Sequence, residues 1–378
     1  MAESNRTFYE FFAGGGMARL GLGKRWKCLL ANELSQKKAN AYRVNHNPNG
    51  ELIIDDVANL TLDCVPGQAT LAWASFPCQD LSLAGNGEGL KGSRSGTFWP
   101  FWDLMANLSD AGRPVSIIVL ENVVGALTSN SGKDFEAIVN ALIPKGYVFG
   151  PMVIDAVHFL PQSRPRLFIV AVKSNISYGQ LTKDSPNDYW HNKRILRAYE
   201  SLNEARRQYW VWWDLKKPKP ISYDLSSIIE ENPEGVRWHT RIETEQLLEM
   251  MSEANRRKVK EAQQQNKLVI GTVYKRTRAE NHSNRVQRAE VRFDQISGCL
   301  RTPAGGSSRQ IVMLVDGKDI RTRLLSPREA ARLMGLPDSY RLPNRYNEAY
   351  HLAGDGLAVP VVSWLEKNLL LPLSAKVK

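Results

Sequence analysis

The segment "ASFPCQDLSL" places a thiol where a core strand breaks. The apolar run from Leu71 to Phe76 reads as a buried strand; it stops at Pro77 and then presents Cys78, Gln79 and Asp80. Functional groups gather disproportionately on such loops. A free thiol titrates near about 8.5, so a nucleophile here needs help to become a thiolate. A second apolar run, "PVSIIVLENV", ends on Glu121-Asn122, and "HFLPQSRPRLFIV" sets Gln162, Arg164 and Arg166 before another. Read as a strand, that alternation points Gln162, Arg164 and Arg166 to one face. A thiol, a carboxylate and an arginine at one sheet edge suit nucleophilic attack on a polar heterocycle. The thiol adds, the acid holds or protonates a ring nitrogen, and the arginine steadies developing charge.

Those residues need a scaffold that gathers strand ends. "TFYEFFAG" reads as a strand running into the glycine turn Gly14-Gly15-Gly16, and "KCLLANE" as a second strand ending on Glu33. "SQKKANAYRVNH" follows with helical spacing and Ser35 as N-cap. "ELIIDDV", "ATLAWASFP", "PVSIIVLENV" and "RLFIVAV" continue the alternation. Near-continuous apolar strands separated by helices predict an α/β class, a doubly wound and mostly parallel sheet. Such sheets bind ligands at the carboxyl ends of their strands. The glycine turn suits a nucleoside-like cofactor, with Glu33 near the spacing that holds ribose hydroxyls. Arg19 occupies the last position of an otherwise incomplete GxGxxG.

Beyond about Lys173 the strand signals lapse, and a more polar second domain is expected up to about Gln310. It contains one long helix, "ETEQLLEMMSEANRRKVKEAQ". "RRQYWVWWDLKK" reads as an anchor in that domain's core rather than as a stacking platform. Ser326 and Glu329 form a capping box around Pro327, and "AVPVVSWLEKNLLL" reads as a closing helix that packs back on the sheet.

The formal charge is +11, which suits a polyanionic partner. The four cysteines, Cys28, Cys64, Cys78 and Cys299, form no CxxC pair, so neither a zinc site nor a disulfide framework is expected. Cys28 and Cys64 read as inert filling. "MAESNRTFYE" lacks a signal pattern and no apolar run reaches membrane-spanning length, so a cytoplasmic protein with no membrane partner is expected.

Taken in order, "FFAGGGMARLG", "NELSQKKANAYRVNH", "DDV", "SFPCQDLSLAG", "RSGTFW", "ENVVGAL", "QSRPR", "RLLSPREAARLMGLPDSY" and "AYHLAGDGLAVPVV" resemble the motifs of the bacterial-type DNA (cytosine-5) methyltransferases. The resemblance runs over nearly the whole chain. It implies a Rossmann-like S-adenosylmethionine-dependent domain with a mostly parallel sheet and a smaller target-recognition domain. Residues 1–172 would be catalytic and 173–318 would recognise the target, with 319–378 returning to the catalytic part. It implies Cys78 as nucleophile, Glu121 on the cytosine ring, and Arg164 and Arg166 in support. S-adenosylmethionine would be held by Phe12, Gly14, Gly16, Glu33, Asp56, Val57, Pro77, Thr97 and Phe98. Asp355 stands where the family's last motif usually has asparagine; it accepts from an amine but cannot donate as an amide does. Ser82, Gln162, Arg301 and Thr302 would contact double-stranded DNA, with Arg301 and Thr302 at base edges. A restriction endonuclease acting separately on the same site, and a monomeric state, complete the expectation.

Three rivals divide these features. A tRNA cytosine-5 methyltransferase on the same scaffold usually carries a Cys-Phe-Thr signature, absent here. A binding protein that has lost catalysis would not keep Cys78, Glu121 and Arg164. A nicotinamide-dependent oxidoreductase would leave those three unexplained.

Overall fold

The computed structural model describes residues 6–77, 95–281, 284–302 and 309–377. The chain forms two compact units: 1–155, 165–218 and 361–378 make the first, 156–164 and 219–360 the second.

The first unit begins with β1 (Thr7–Phe11), α1 (Met17–Leu22), β2 (Lys27–Asn32), α2 (Gln36–His46) and β3 (Leu52–Ile53). It continues with β4 (Leu71–Ala74), α3 (Phe98–Asp110), β5 (Ile117–Val123), α4 (Lys133–Leu142), β6 (Tyr147–Asp155) and β7 (Pro165–Lys173). Seven strands line up as β3-β2-β1-β4-β5-β7-β6. Pairing is parallel from β3 through β5; β7 runs antiparallel to both β5 and β6. The mostly parallel α/β sheet is the one expected. Its central strands are covered on both faces, which is why they read as unbroken apolar runs. Helix α3 buries Phe98, Phe101, Trp102, Leu104, Met105 and Leu108, a stripe with the helical period. Phe101 meets Phe11 of β1 at 5.0 Å between ring centroids.

The catalytic part was expected to end at residue 172, but the first unit keeps 173–218. This stretch holds β8 (Thr182–Lys183), α5 (Lys193–Ser201), α6 (Glu204–Arg207) and β9 (Trp212–Trp213). Trp210 and Trp212 pack with Phe135, Phe149 and Tyr199 in the first unit's core. The tryptophans are core anchors, as read, though of the first domain rather than the second. Gly150 on β6 makes this possible: a Cβ there would lie 2.4 Å from Trp213 Nε1. Residues 361–378 also belong to this unit. Ser363 Oγ donates to the Gly21 carbonyl (2.9 Å), and buried Glu366 accepts from Arg25 (2.6 Å) and Trp26 Nε1 (3.1 Å).

In the second unit, the predicted single long helix is two, α7 (Arg241–Glu249) and α8 (Glu253–Gln263). The backbone between them is drawn into sheet-like pairing, with Ala289 N–H donating to the Met250 carbonyl at 3.0 Å. Apolar periodicity continues across the break, so the sequence pattern conceals it. An antiparallel sheet, β11-β10-β12-β13, contains β10 (Val269–Asn281), β11 (Asn284–Arg292), β12 (Ile311–Asp316) and β13 (Asp319–Leu324). One face packs Val273, Ala289, Val291, Ile311 and Met313 against Leu247 and Val259 of the helices. Helix α9 (Pro327–Arg332) opens with the predicted capping box: Ser326 Oγ accepts from Glu329 N–H, and the Glu329 carboxylate accepts from Ser326 N–H (2.7 Å). That carboxylate also makes a fully buried bidentate pair with Arg323 of β13, at 2.7 and 2.8 Å. Helix α10 (Tyr346–Asp355) ends on Asp355. The segment from 319 was expected to return to the catalytic part, yet it stays with the second unit as far as Pro360.

Among the described residues no helix is long and apolar enough to cross a membrane.

Candidate active site

Strand direction gathers the site. Five parallel strands bring Phe12, Glu33, Asp56 and Pro77, which follow their strands, and Glu121, near the end of β5, to one edge of the sheet. Strand β7 runs the other way, so its beginning reaches the same edge: Arg166 is paired with Val123 at the end of β5. Arg166 Nε therefore stands 3.4 Å from Glu121 Oε1, with both side chains largely buried. The antiparallel direction of β7 brings this arginine to the edge.

Asn122 holds the chain that leaves β4. Its Nδ2 donates to the Phe76 carbonyl (3.1 Å) while its Oδ1 accepts from Val123 N–H (2.8 Å). The chain leaving β4 is thus pinned two residues before Cys78, beside Glu121. Sequence reading singled out Glu121-Asn122 as a pair without giving Asn122 this task. Cys78 and Ser82 themselves lie outside the described residues.

The glycine turn is shaped by close packing beneath it. Gly16 has φ +78°, and a Cβ there would fall 2.2 Å from His46 Nε2 and 2.9 Å from the Tyr42 ring. Gly14 has φ +57° with open space where a Cβ would point. Phe12 adopts φ +57° despite its side chain, a strained conformation of the kind kept at ligand sites. Glu33 is buried; Gly14 N–H donates to its Oε2 and Ser35 N–H to its Oε1, each at 2.8 Å. Its carboxylate is held in place and each oxygen keeps acceptor capacity. Asp56 caps a short helical turn through Ala58 N–H (3.0 Å), Val57 is buried behind it, and Thr97-Phe98 begin α3.

Sequence reading missed the group below the turn. Glu10 of β1 is 1 % exposed and accepts from Arg19 N–H and Tyr42 Oη, both at 3.2 Å. Arg19 in turn reaches Glu51 (2.8 Å) and Tyr42 (3.1 Å). Arg19 thus uses the absent last glycine position to tie α1 to α2 and to the turn before β3. Burial pushes the Glu10 carboxyl up to about 7 and the His46 imidazole down to about 4. Cys28, beside Tyr42, is pushed up to about 12 by burial, which accords with inert filling.

Two expectations are corrected. Gln162, Arg164 and Arg166 do not alternate on one strand face, because β7 begins only at Pro165. Gln162, expected at DNA, is wholly buried: its Nε2 donates to the Leu333 carbonyl (2.6 Å) and its Oε1 accepts from Leu300 N–H (3.1 Å). It is a structural clamp, and its amide is satisfied within the second unit. Arg164 is 3 % exposed and donates to the carbonyls of Leu300 (3.0 Å), Gly354 (2.9 Å) and Gly356 (2.8 Å). It fastens the segments that carry Arg301 and Asp355. Arg301 is exposed, whereas the Thr302 hydroxyl donates to Asp355. Among the described residues no cluster of His, Cys, Asp or Glu is arranged to hold a metal ion.

Residues 6–370 match the family described as C-5 cytosine-specific DNA methylase. Type II methyltransferase M.HhaI of Haemophilus parahaemolyticus is 25% identical over 374 residues, covering 98% of this chain and 95% of that one. Type II methyltransferase M.Eco47II of Escherichia coli reaches 32% identity over 202 residues, 53% of this chain and 46% of its own. Among solved structures, the Dnmt2 methyltransferase of S. pombe superposes with a TM-score of 0.59 at 17% identity, over 97% of this chain and 99% of that one.

Proposed function

From the premise that the chain belongs to the C-5 cytosine-specific DNA methylase family and is an S-adenosylmethionine-dependent DNA (cytosine-5) methyltransferase, we propose that Cys78, Glu121 and Arg166 carry its chemistry. The observation that supports this most is the convergence at the sheet edge: Glu121 paired with Arg166, and Asn122 pinning the chain that leads to Cys78. Carbon 5 of neutral cytosine is a poor nucleophile, and a stacked base hides the face that must be attacked. The target base is therefore swung out of the duplex. The Cys78 thiolate adds to carbon 6 while Glu121 holds and protonates ring nitrogen 3, which makes carbon 5 enamine-like. Arg166 fixes the Glu121 carboxylate and offsets charge around the ring. S-adenosylmethionine supplies the methyl group that carbon 5 takes up. Loss of the carbon-5 proton and expulsion of Cys78 then restore the aromatic ring and release 5-methylcytosine.

The residues at the sheet edge fit the cofactor. Glu33 offers a buried, prealigned acceptor for ribose hydroxyls, and Gly14 leaves room for close approach of the amino-acid end. We assign Phe12, Gly16, Asp56, Val57, Pro77, Thr97 and Phe98 to the same pocket. Asp355, held by the Thr302 hydroxyl, is assigned an accepting role toward the cofactor amine. Arg164 is a positioning residue for the Arg301 and Asp355 segments rather than a group on the ring. Ser82 is assigned to DNA backbone and exposed Arg301 to a base edge. The Thr302 hydroxyl is engaged by Asp355, which weakens its own claim to a base. We further propose a modification enzyme that works beside a separate endonuclease, in keeping with the Type II names of the relatives, and that acts as a monomer in the cytoplasm.

The test is labelled methyl transfer to mixed-sequence duplex DNA, with Cys78→Ser alongside. Wild type labels cytosine carbon 5, while the variant falls by about 10⁴-fold or more and still binds cofactor. Equal labelling by the two proteins removes Cys78 as nucleophile. Labelling of tRNA but not duplex DNA moves the substrate to RNA.

A further inference from the structure

The β10–β11 hairpin opposes two like charges. Its register pairs Arg276 directly with Arg288, while the neighbouring pairs on the same face are Tyr274 with Glu290 and Arg278 with Val286. Like charges directly across a ladder destabilise a hairpin. Nothing in the packing of the other face demands them, because that face supplies Val273, Ala289 and Val291 to the core. The arginines are also held in shape. The Arg276 guanidinium lies over the Tyr274 ring at 4.5 Å, Tyr274 Oη donates to Glu290 (2.7 Å), and Arg278 Nε donates to the same carboxylate (2.8 Å). Successive residues on one strand face stand about 7 Å apart, close to the separation of successive phosphates along a nucleic-acid strand. Arg276 and Arg278 are exposed.

We propose that this face of the hairpin grips the phosphodiester backbone of the DNA substrate, the opposed Arg276 and Arg288 closing on phosphate. The proposal rests on the reading of duplex DNA as substrate. A phosphate group set between the two guanidinium groups is attracted to both. Contacts of this kind position a duplex without reading its sequence. They account for part of the salt dependence of binding, at roughly 0.9 in the slope of log affinity against log salt for each phosphate neutralised.

Arg276→Glu separates this role from a structural one, because it replaces a like-charge pair by an opposite-charge pair. The expected result is a melting temperature equal to or above wild type, with affinity for duplex DNA down by about tenfold or more at low salt. Arg276→Gln and Arg288→Gln should each flatten the salt slope by about one. They should weaken all DNA sequences alike and leave S-adenosylmethionine affinity unchanged. Wild-type affinity and slope in these variants overturn the proposal, as does a binding loss confined to one sequence or one that tracks a fall in melting temperature. A wild-type protein that neither binds nor methylates duplex DNA overturns the substrate reading itself, and is recognised before any variant is made.

Discussion

The two units carry charge in opposite ways. In the first, Glu121, Glu33 and Glu10 sit at strand ends or beneath the glycine turn, each committed to a local partner: Glu121 to Arg166, Glu33 to backbone N–H groups, Glu10 to Arg19 N–H and Tyr42. In the second, arginines occupy strand interiors. Arg323 is sealed against Glu329, and Arg276, Arg278 and Arg288 line the far part of the β10–β11 hairpin, beyond the stretch of the same face where Ile270, Val312 and Leu314 pack in a core. A parallel sheet covered on both faces leaves room for polar chemistry only at its ends. A hairpin that runs past the packed part of its sheet can display charge along its free end. The first arrangement suits reaction at a point, the second recognition along a polymer.

The sharpest way to break this contrast is to remove charge from each unit in turn. Glu121→Gln should lower the methyl-transfer rate by about 10² to 10⁴-fold in single-turnover assays while leaving cofactor affinity near wild type. A loss in affinity instead of rate would make Glu121 a binding group. Glu329→Gln in the second unit leaves Arg323 buried with half its partner. Breaking such a pair costs about 3–5 kcal/mol, so thermal unfolding should show a lowered transition, with cofactor binding by the first unit retained. A transition unchanged within a degree would mean the buried pair contributes nothing net.

The smallest effect is a slope rather than a level. Glu10 titrates at about 7 in the folded chain against an ordinary 4.5, so its burial removes stability as pH rises through that window. His46, at about 4 against 6.5, removes stability as pH falls from 6.5 towards 4. The two oppose each other over most of the shared range. Glu10→Gln should therefore leave stability rising with pH between about 4 and 6.5, and His46→Asn should leave it falling between about 4.5 and 7. Denaturant titrations at four pH values would show both. Parallel pH profiles for the two variants would refute the account.

Legibility followed the same divide. The apolar strands, Ser35 as an N-cap, the Ser326–Glu329 box and the strand that ends in Glu121-Asn122 could be read directly, because each is a local pattern of period, cap or motif. The reach of the first unit to Pro218 was hidden, since the cue is Gly150 making room for Trp213, a contact between distant segments. The split between α7 and α8 was hidden too, because sheet pairing by Met250 and Ala289 overrides a helical period that runs on through the break.

By itself, then, the sequence determined which residue types stand at which strand ends, and with them the reaction: order along the chain sets parallel strand ends side by side. Tertiary structure decided which of the basic residues face that edge. Arg166 arrives there because β7 runs antiparallel to β5, Gln162 is sealed among carbonyl and amide partners, and Arg276 meets Arg288 because a hairpin register pairs them. Register and strand direction arise from packing between distant segments, which no local pattern of residues encodes.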